Sequence, residues 1–103
     1  MSEQGGDYWD RLSIIAVKKS RNVSSPAEST ELEKAISSGP FSREYRELKT
    51  INELIWWCMD AQRDPDRGFK ERATIALITA FLNDARDEVK REIDGVVRRT
   101  YEV

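Results

Sequence analysis

Histidine is absent from this 103-residue chain, and cysteine occurs once. The first absence removes imidazole acid–base chemistry; the second removes any disulfide framework and any zinc-spaced cysteine set. There is no glycine-rich phosphate loop and no serine-nucleophile motif. No apolar run approaches the roughly 20 residues that span a bilayer, and the opening MSEQGGDYWD is acidic where a secretory signal would be basic and then apolar. The expectation is a cytoplasmic protein with no membrane partner. Nor is there an excess of positive charge: the net charge is −2 and the isoelectric point about 5.2. Lys and Arg are spread along the chain, which argues against duplex nucleic acid as a partner. No alternating run is bounded by turn chemistry and no repeat is evident, so no strand is predicted.

Helical periodicity is present throughout. Charged residues make up 35% of the chain and the mean hydropathy is −0.66, yet the apolar residues gather in periodic segments, the mark of a folded domain with highly charged solvent faces. The expected organisation is a flexible leader over 1–6 and a single helical domain over 7–103. The strongest segment is SREYRELKTINELIWWCMDAQR, about 42–63. Tyr45, Leu48, Ile51, Asn52, Ile55, Trp56, Cys58 and Met59 share one broad face at about 100° per residue, while Leu54, Trp57 and Ala61 point away from it. A helix apolar over so much of its girth requires neighbours on more than one side. The lone Cys58 reads as a small buried hydrophobe.

Three further helices are predicted around it. The first runs over about 7–21, capped by Asp7, with Tyr8, Leu12, Ile15 and Ala16 on one face and Lys18, Lys19 and Arg21 at its C-terminal end, where positive charge is favourable. A short second helix, about 26–37, starts with a capping box from Ser25 to Glu28 and a proline at its first position; Leu32, Ala35 and Ile36 let it cover one edge of the core. Gly39 and Pro40 end it, and Ser42 is expected to cap the central helix. Pro65 and Gly68 reverse the chain into an antiparallel last helix over about 69–99. From Phe69 to Leu82 that helix is apolar on nearly all sides, which requires neighbours on both sides. From Ala85 onward the apolar residues narrow to one stripe: Ala85, Val89, Ile93, Val96 and Val97. The predicted fold class is all-α, an antiparallel bundle of four helices, two long and two shorter.

Three stretches resemble an uncharacterised family, a domain of unknown function found in small all-helical bacterial and phage proteins. GDYWDRLSIIAVK, from Gly6 to Lys18, places Asp10, Arg11, Leu12, Ser13, Ile14 and Lys18 in register with the family's opening motif. Leu48, Ile51, Asn52, Ile55, Trp56, Asp60 and Arg63 fall at the intervals of its middle motif, and Asn83, Asp84, Arg86, Val89, Lys90, Arg91, Ile93 and Asp94 at those of its last. The chain departs from the family in a short, Ser-rich segment between the first two motifs and in having Met59 before Asp60. The resemblance implies an all-helical fold of bacterial or phage origin, and it implies no reaction.

The polar residues inside those motifs are the candidate site. Asn52 sits among Leu48, Ile51 and Ile55, where an unpartnered amide costs a few kcal/mol. Asp10, Arg11, Asn83 and Arg86 are placed to satisfy it as a buried network. The alternative is that Arg11, Asn52, Asn83 and Arg86 line a pocket for a small anionic ligand, as in a phage-type sponge that sequesters a nucleotide-like signal, with Tyr8, Trp9 and Tyr45 as stacking partners. A second alternative is a metal-dependent nucleotide pyrophosphohydrolase holding magnesium on acid pairs at i, i+3, here Glu28 with Glu31, Glu44 with Glu47 and Asp84 with Asp87; among 19 acids such pairs arise by chance. No cofactor is expected. The reading favoured by the residues is a non-catalytic binding or interaction protein. It is expected to be a homo-oligomer that uses Leu54, Trp57 and Ala61 as an interface, with a protein or a small anionic ligand as a further partner.

Overall fold

The computed structural model describes residues 5–38 and 41–101. Four helices follow one another: α1 over Gly6–Ser20, α2 over Pro26–Ser38, α3 over Ser42–Gln62 and α4 over Phe69–Tyr101. The fold is all-α as expected, and each helix boundary lies within two residues of its predicted place. Among the described residues there is no strand, and no helix is long and apolar enough to cross a membrane. Gly39 and Pro40, expected to stop α2, lie outside the described residues, as does most of the predicted leader.

Three helices make the core. α1 runs parallel to α3: Trp9 lies against Phe41 and Tyr45, Ser13 reaches Asn52, and Arg21 reaches Asp60. It runs antiparallel to α4, with Gly6 beside Asp94, Asp7 beside Lys90 and Asp10 beside Arg86. Leu12, Ile15, Leu48 and Ile93 are fully buried where the three meet, with Trp9, Val89 and Val97 around them. α2 lies outside this trio and packs chiefly on α1. It contributes Leu32 to the core and is held to α1 by Lys18–Glu28, Lys19–Glu33 and Arg11–Glu31 ion pairs. Of the cations at the end of α1, Lys18 and Lys19 therefore clamp α2, while Arg21 reaches α3. α3 and α4 form a hairpin sharing a second small cluster of Cys58, Ala61 and Ile75, with Leu82 half-buried against it. The 33-residue α4, about 50 Å long at about 1.5 Å per residue, sets the long axis of the molecule, which measures 51 × 31 × 18 Å.

The helix ends show which local signals held. The Ser25–Glu28 capping box is formed reciprocally: the Glu28 N–H donates to Ser25 Oγ at 3.2 Å and the Ser25 N–H donates to Glu28 Oε1 at 2.9 Å. Lys18 and then the Ser25 amide hold the Glu28 carboxyl below its usual range. α1 closes in a Schellman turn, with Asn22 at φ 60° and the Val23 N–H donating to the Lys18 carbonyl at 2.9 Å. Two predicted caps are not made. Ser42 is the first helical residue of α3, preceded by the buried Phe41, and no side chain caps that end. Asp7 does not cap α1 either. The helix begins a residue earlier, and the Gly6 N–H donates to Oδ1 of Asp94, on α4, at 2.6 Å. Gly5 and Gly6 are buried and belong to the fold, so order begins before Asp7.

Gly6 is required by proximity. A Cβ there would stand 2.5 Å from the carbonyl oxygen of Lys90 and 2.9 Å from that residue's Cα, against backbone that has no rotamer with which to yield. Gly6→Ala is expected to destabilise the protein by about 1–3 kcal/mol through overpacking. Gly95→Ala, where the nearest atom is the end of Arg99 at 3.8 Å, is expected to stabilise it by up to about 1 kcal/mol through helix propensity. Urea denaturation of the two variants checks the opposite signs.

Candidate functional site

Asn52 is buried on α3 and makes its contacts to two other helices. Its amide Nδ2 donates to Oδ1 of Asp10 at 3.0 Å and to Oγ of Ser13 at 2.8 Å, which uses both of its hydrogens. The carboxamide oxygen accepts from Arg86 Nη1 at 3.5 Å, and Arg86 Nε lies 3.6 Å from Oδ2 of Asp10, within ion-pair range. Ser13 donates to its own helix, at the Asp10 carbonyl 2.6 Å away, and so presents its lone pairs to Asn52. Asp10, Ser13 and Asn52 are all buried. A carboxylate taken from water is costly unless it is both paired and hydrogen-bonded; here the guanidinium supplies the charge and the amide supplies the hydrogen bond.

The network differs from the predicted one at its edges. Asp10, Asn52 and Arg86 are brought together. Arg11 is not: one residue along α1 it has turned about 100° away, where it pairs with Glu31 of α2. Asn83 is exposed, nearly a turn of α4 before Arg86. Ser13 was missed, although a serine between Leu12 and Ile15 in an apolar face was a signal of the same kind as Asn52. Nor do Tyr8, Trp9 and Tyr45 form a platform open to a ligand. Trp9 is buried, with Tyr8, Phe41 and Tyr45 edge-on around it at centroid distances of 5.9, 5.8 and 6.4 Å, an aromatic core cluster. The seven candidate ligand residues therefore do not share one pocket.

Beside the network a cleft of about 160 Å³ opens between Ile14 and Val17 of α1 and Ile55, Trp56 and Met59 of α3, with Asn52 and Arg86 at its base. Its walls are apolar, Arg86 already faces Asp10, and Arg21 covers the Trp56 ring from 4.7 Å. Another concavity, about 320 Å³, lies near Phe41, where Arg43, Arg91 and Arg99 stand among Glu44 and Glu92. The acid pairs considered for magnesium sit on three different helices: Glu28 and Glu31 engage Lys18 and Arg11, Glu47 engages Arg43, and Asp84 and Asp87 are exposed on α4. Among the described residues no three acids or cysteines gather where they could hold a metal ion.

The predicted interface residues divide. Leu54 and Trp57 are half-exposed, with Arg67 over the Trp57 ring at 5.8 Å. Ala61 is buried against Cys58 and Ile75, because α4 folds back over that side of α3. Met59, assigned from its spacing to the buried face, is 44% exposed. The larger departure is on α4. The neighbours expected on both sides of Phe69–Leu82 are present on one side only, leaving Phe69 89%, Leu77 68% and Phe81 77% exposed. No family model matches the chain, and comparison with curated proteins and with solved structures gives no match either.

Two predictions follow from the polar contacts. Asn52→Leu leaves Asp10 and Ser13 short of their donor and is expected to cost about 2–3 kcal/mol, read from the urea midpoint; a change under about 0.5 kcal/mol would remove the network as a stabilising element. The second concerns Asp7 and Lys90, which pair at 2.8 Å. The hydrogen bond from Lys90 lowers the Asp7 carboxyl and raises the Lys90 ammonium. The Asp7 contribution is therefore present above its unfolded value of 3.8 and lost as pH falls through the lower folded value, while the Lys90 contribution is present below 10.5 and lost as pH rises through the higher folded one. Lys90→Met is expected to make the fall of melting temperature below pH 4 shallower; a profile parallel to that of the unaltered protein refutes the assignment.

Proposed function

We propose that this chain is a non-catalytic helical binding protein whose working surface is the arm formed by the C-terminal half of α3 and the N-terminal half of α4. The observation that carries this reading is the exposure of Phe69, Leu77 and Phe81, flanked by Ile78 and, on α3, by Leu54 and Trp57. Large exposed apolar residues gathered on one arm mark an interaction site more often than a solvated face. The same helix supplies its own comparison. Further along α4 the outward positions are Arg91, Glu92, Arg98 and Arg99, all exposed and all charged, so this protein does make a solvated helix face where it needs one.

The other two readings have less behind them. The residues proposed for an anionic ligand are dispersed among the core, the α1–α2 contact and the exposed side of α4, and the guanidinium nearest the cleft is neutralised by Asp10. The acid pairs proposed for magnesium are divided among three helices, several of them engaged by cations. The likeness of three motifs to the helical family from bacteria and phages supports a binding role only in that it implies no reaction.

The test is a photo-crosslinking amino acid placed in the full chain during expression in cells. At Leu77 or Phe81 it is expected to give discrete covalent adducts, and at Glu33 on α2 it is expected to give none. Equal, diffuse labelling at all three positions would overturn the reading.

A further inference from the structure

We propose that the outer face of the N-terminal half of α4 pairs antiparallel with the same face of a second copy of this chain, across a two-fold axis beside Thr79. The proposal rests on the arm being the working surface, and it names the occupant. Lys70, Thr74, Leu77, Phe81, Asp84 and Glu88 follow one another at alternating steps of four and three, the spacing of a coiled-coil seam. All six are exposed. The seam α4 gives to α3, through Ile75, Leu82 and Val89, lies roughly 120° round the helix, so the helix carries two seams and the chain fills one.

The unfilled seam is complementary to itself in one direction only. Its apolar centre, Leu77 and Phe81, has a lysine at the N-terminal end and two carboxylates at the C-terminal end, with no charged residue from Ala73 to Asn83. Antiparallel alignment about Thr79 sets Leu77 of each copy against Phe81 of the other, and Lys70 against Glu88 on both sides of the axis. Parallel alignment would set Lys70 against Lys70 and Glu88 against Glu88. A lysine in the first turn of a helix opposes the helix dipole, so the intrachain structure gives Lys70 no reason for its place. A second copy's acidic end does. Among the described residues Lys70, Asp84 and Glu88 make no ion pair within the chain, whereas their neighbours Arg67 and Glu71 pair with each other.

With about 150 Å² for Phe81 and about 100 Å² for Leu77, the apolar centre buries roughly 500 Å² between two copies. That is small for a specific interface, and it makes the dimer reversible and concentration-dependent.

The experiment is sedimentation equilibrium of the full chain, unaltered and with K70E or E88K, alone and in equimolar mixture. Both substitutions are on exposed positions, and circular dichroism checks that each variant is folded. The unaltered chain is expected to form dimers. Each variant alone turns two attractive pairs repulsive and is expected to dimerise tenfold to a hundredfold more weakly. The mixture is expected to restore association, because the acid introduced at 70 then meets the lysine introduced at 88, and the native Lys70 meets the native Glu88. An unaltered chain that stays monomeric to millimolar concentration overturns the proposal, and so does weakening in both variants without rescue in the mixture. If in that event the crosslinker at Leu77 still captures a different protein, the arm remains a binding surface and only the second copy is refuted; if it captures nothing discrete, both readings fall.

Discussion

One side-chain amide holds the three core helices in register. Asn52 on α3 donates to Asp10 and Ser13 of α1 and accepts from Arg86 of α4. Apolar contacts alone set few limits on how far one helix slides along another, since a methyl group lost to one neighbour is gained by the next. A buried carboxylate that needs an amide on one side and a guanidinium on the other allows one arrangement. The aromatic cluster of Trp9, Phe41 and Tyr45 lies toward one end of that level and the Cys58, Ala61 and Ile75 cluster toward the other, with α1 running beside α3 as far as the Arg21–Asp60 pair. The polar contact thus stands between the aromatic end of the core and the hairpin end that presents apolar surface.

Much of this was legible in the sequence, where the signal was local. The Ser25-to-Glu28 box, the proline at the start of α2 and the reversal between Asp64 and Gly68 each depend on residues within a few positions of one another, and each formed where its residue types put it. Asn52 could be read as needing partners because its neighbours on the helix face are apolar. Its partners were legible only in part: Asp10 and Arg86 were identified, Ser13 was not, and Arg11 was assigned inward although its rotation on α1 turns it toward α2.

What could not be read depends on residues far apart in the chain. Nothing near Gly6 announces that Asp94 will cap it, and a glycine in a polar leader looks like flexibility until the Lys90 carbonyl is found 2.5 Å from where a Cβ would stand. Periodicity also could not distinguish an apolar face that the chain covers from one that it leaves open. Ile75 and Leu77 are two residues apart in one helix and equally apolar, yet one is buried and the other exposed. The difference lies in their rotation about the helix: two residues apart they stand about 200° apart, Ile75 against α3 and Leu77 on the opposite side.

The bond from Gly6 to Asp94 joins residues 88 positions apart. During synthesis α1 leaves the ribosome well before α4, which carries the groups that close its N-terminus and pack its inner face, Asp94, Lys90, Arg86 and Ile93. A 15-residue helix is marginal by itself in water, so α1 stays frayed at its start, waiting for α4, while α2 and α3 are made. The first and last helices of this domain are thus the last parts of it to meet, and its folding is completed only after α4 has emerged.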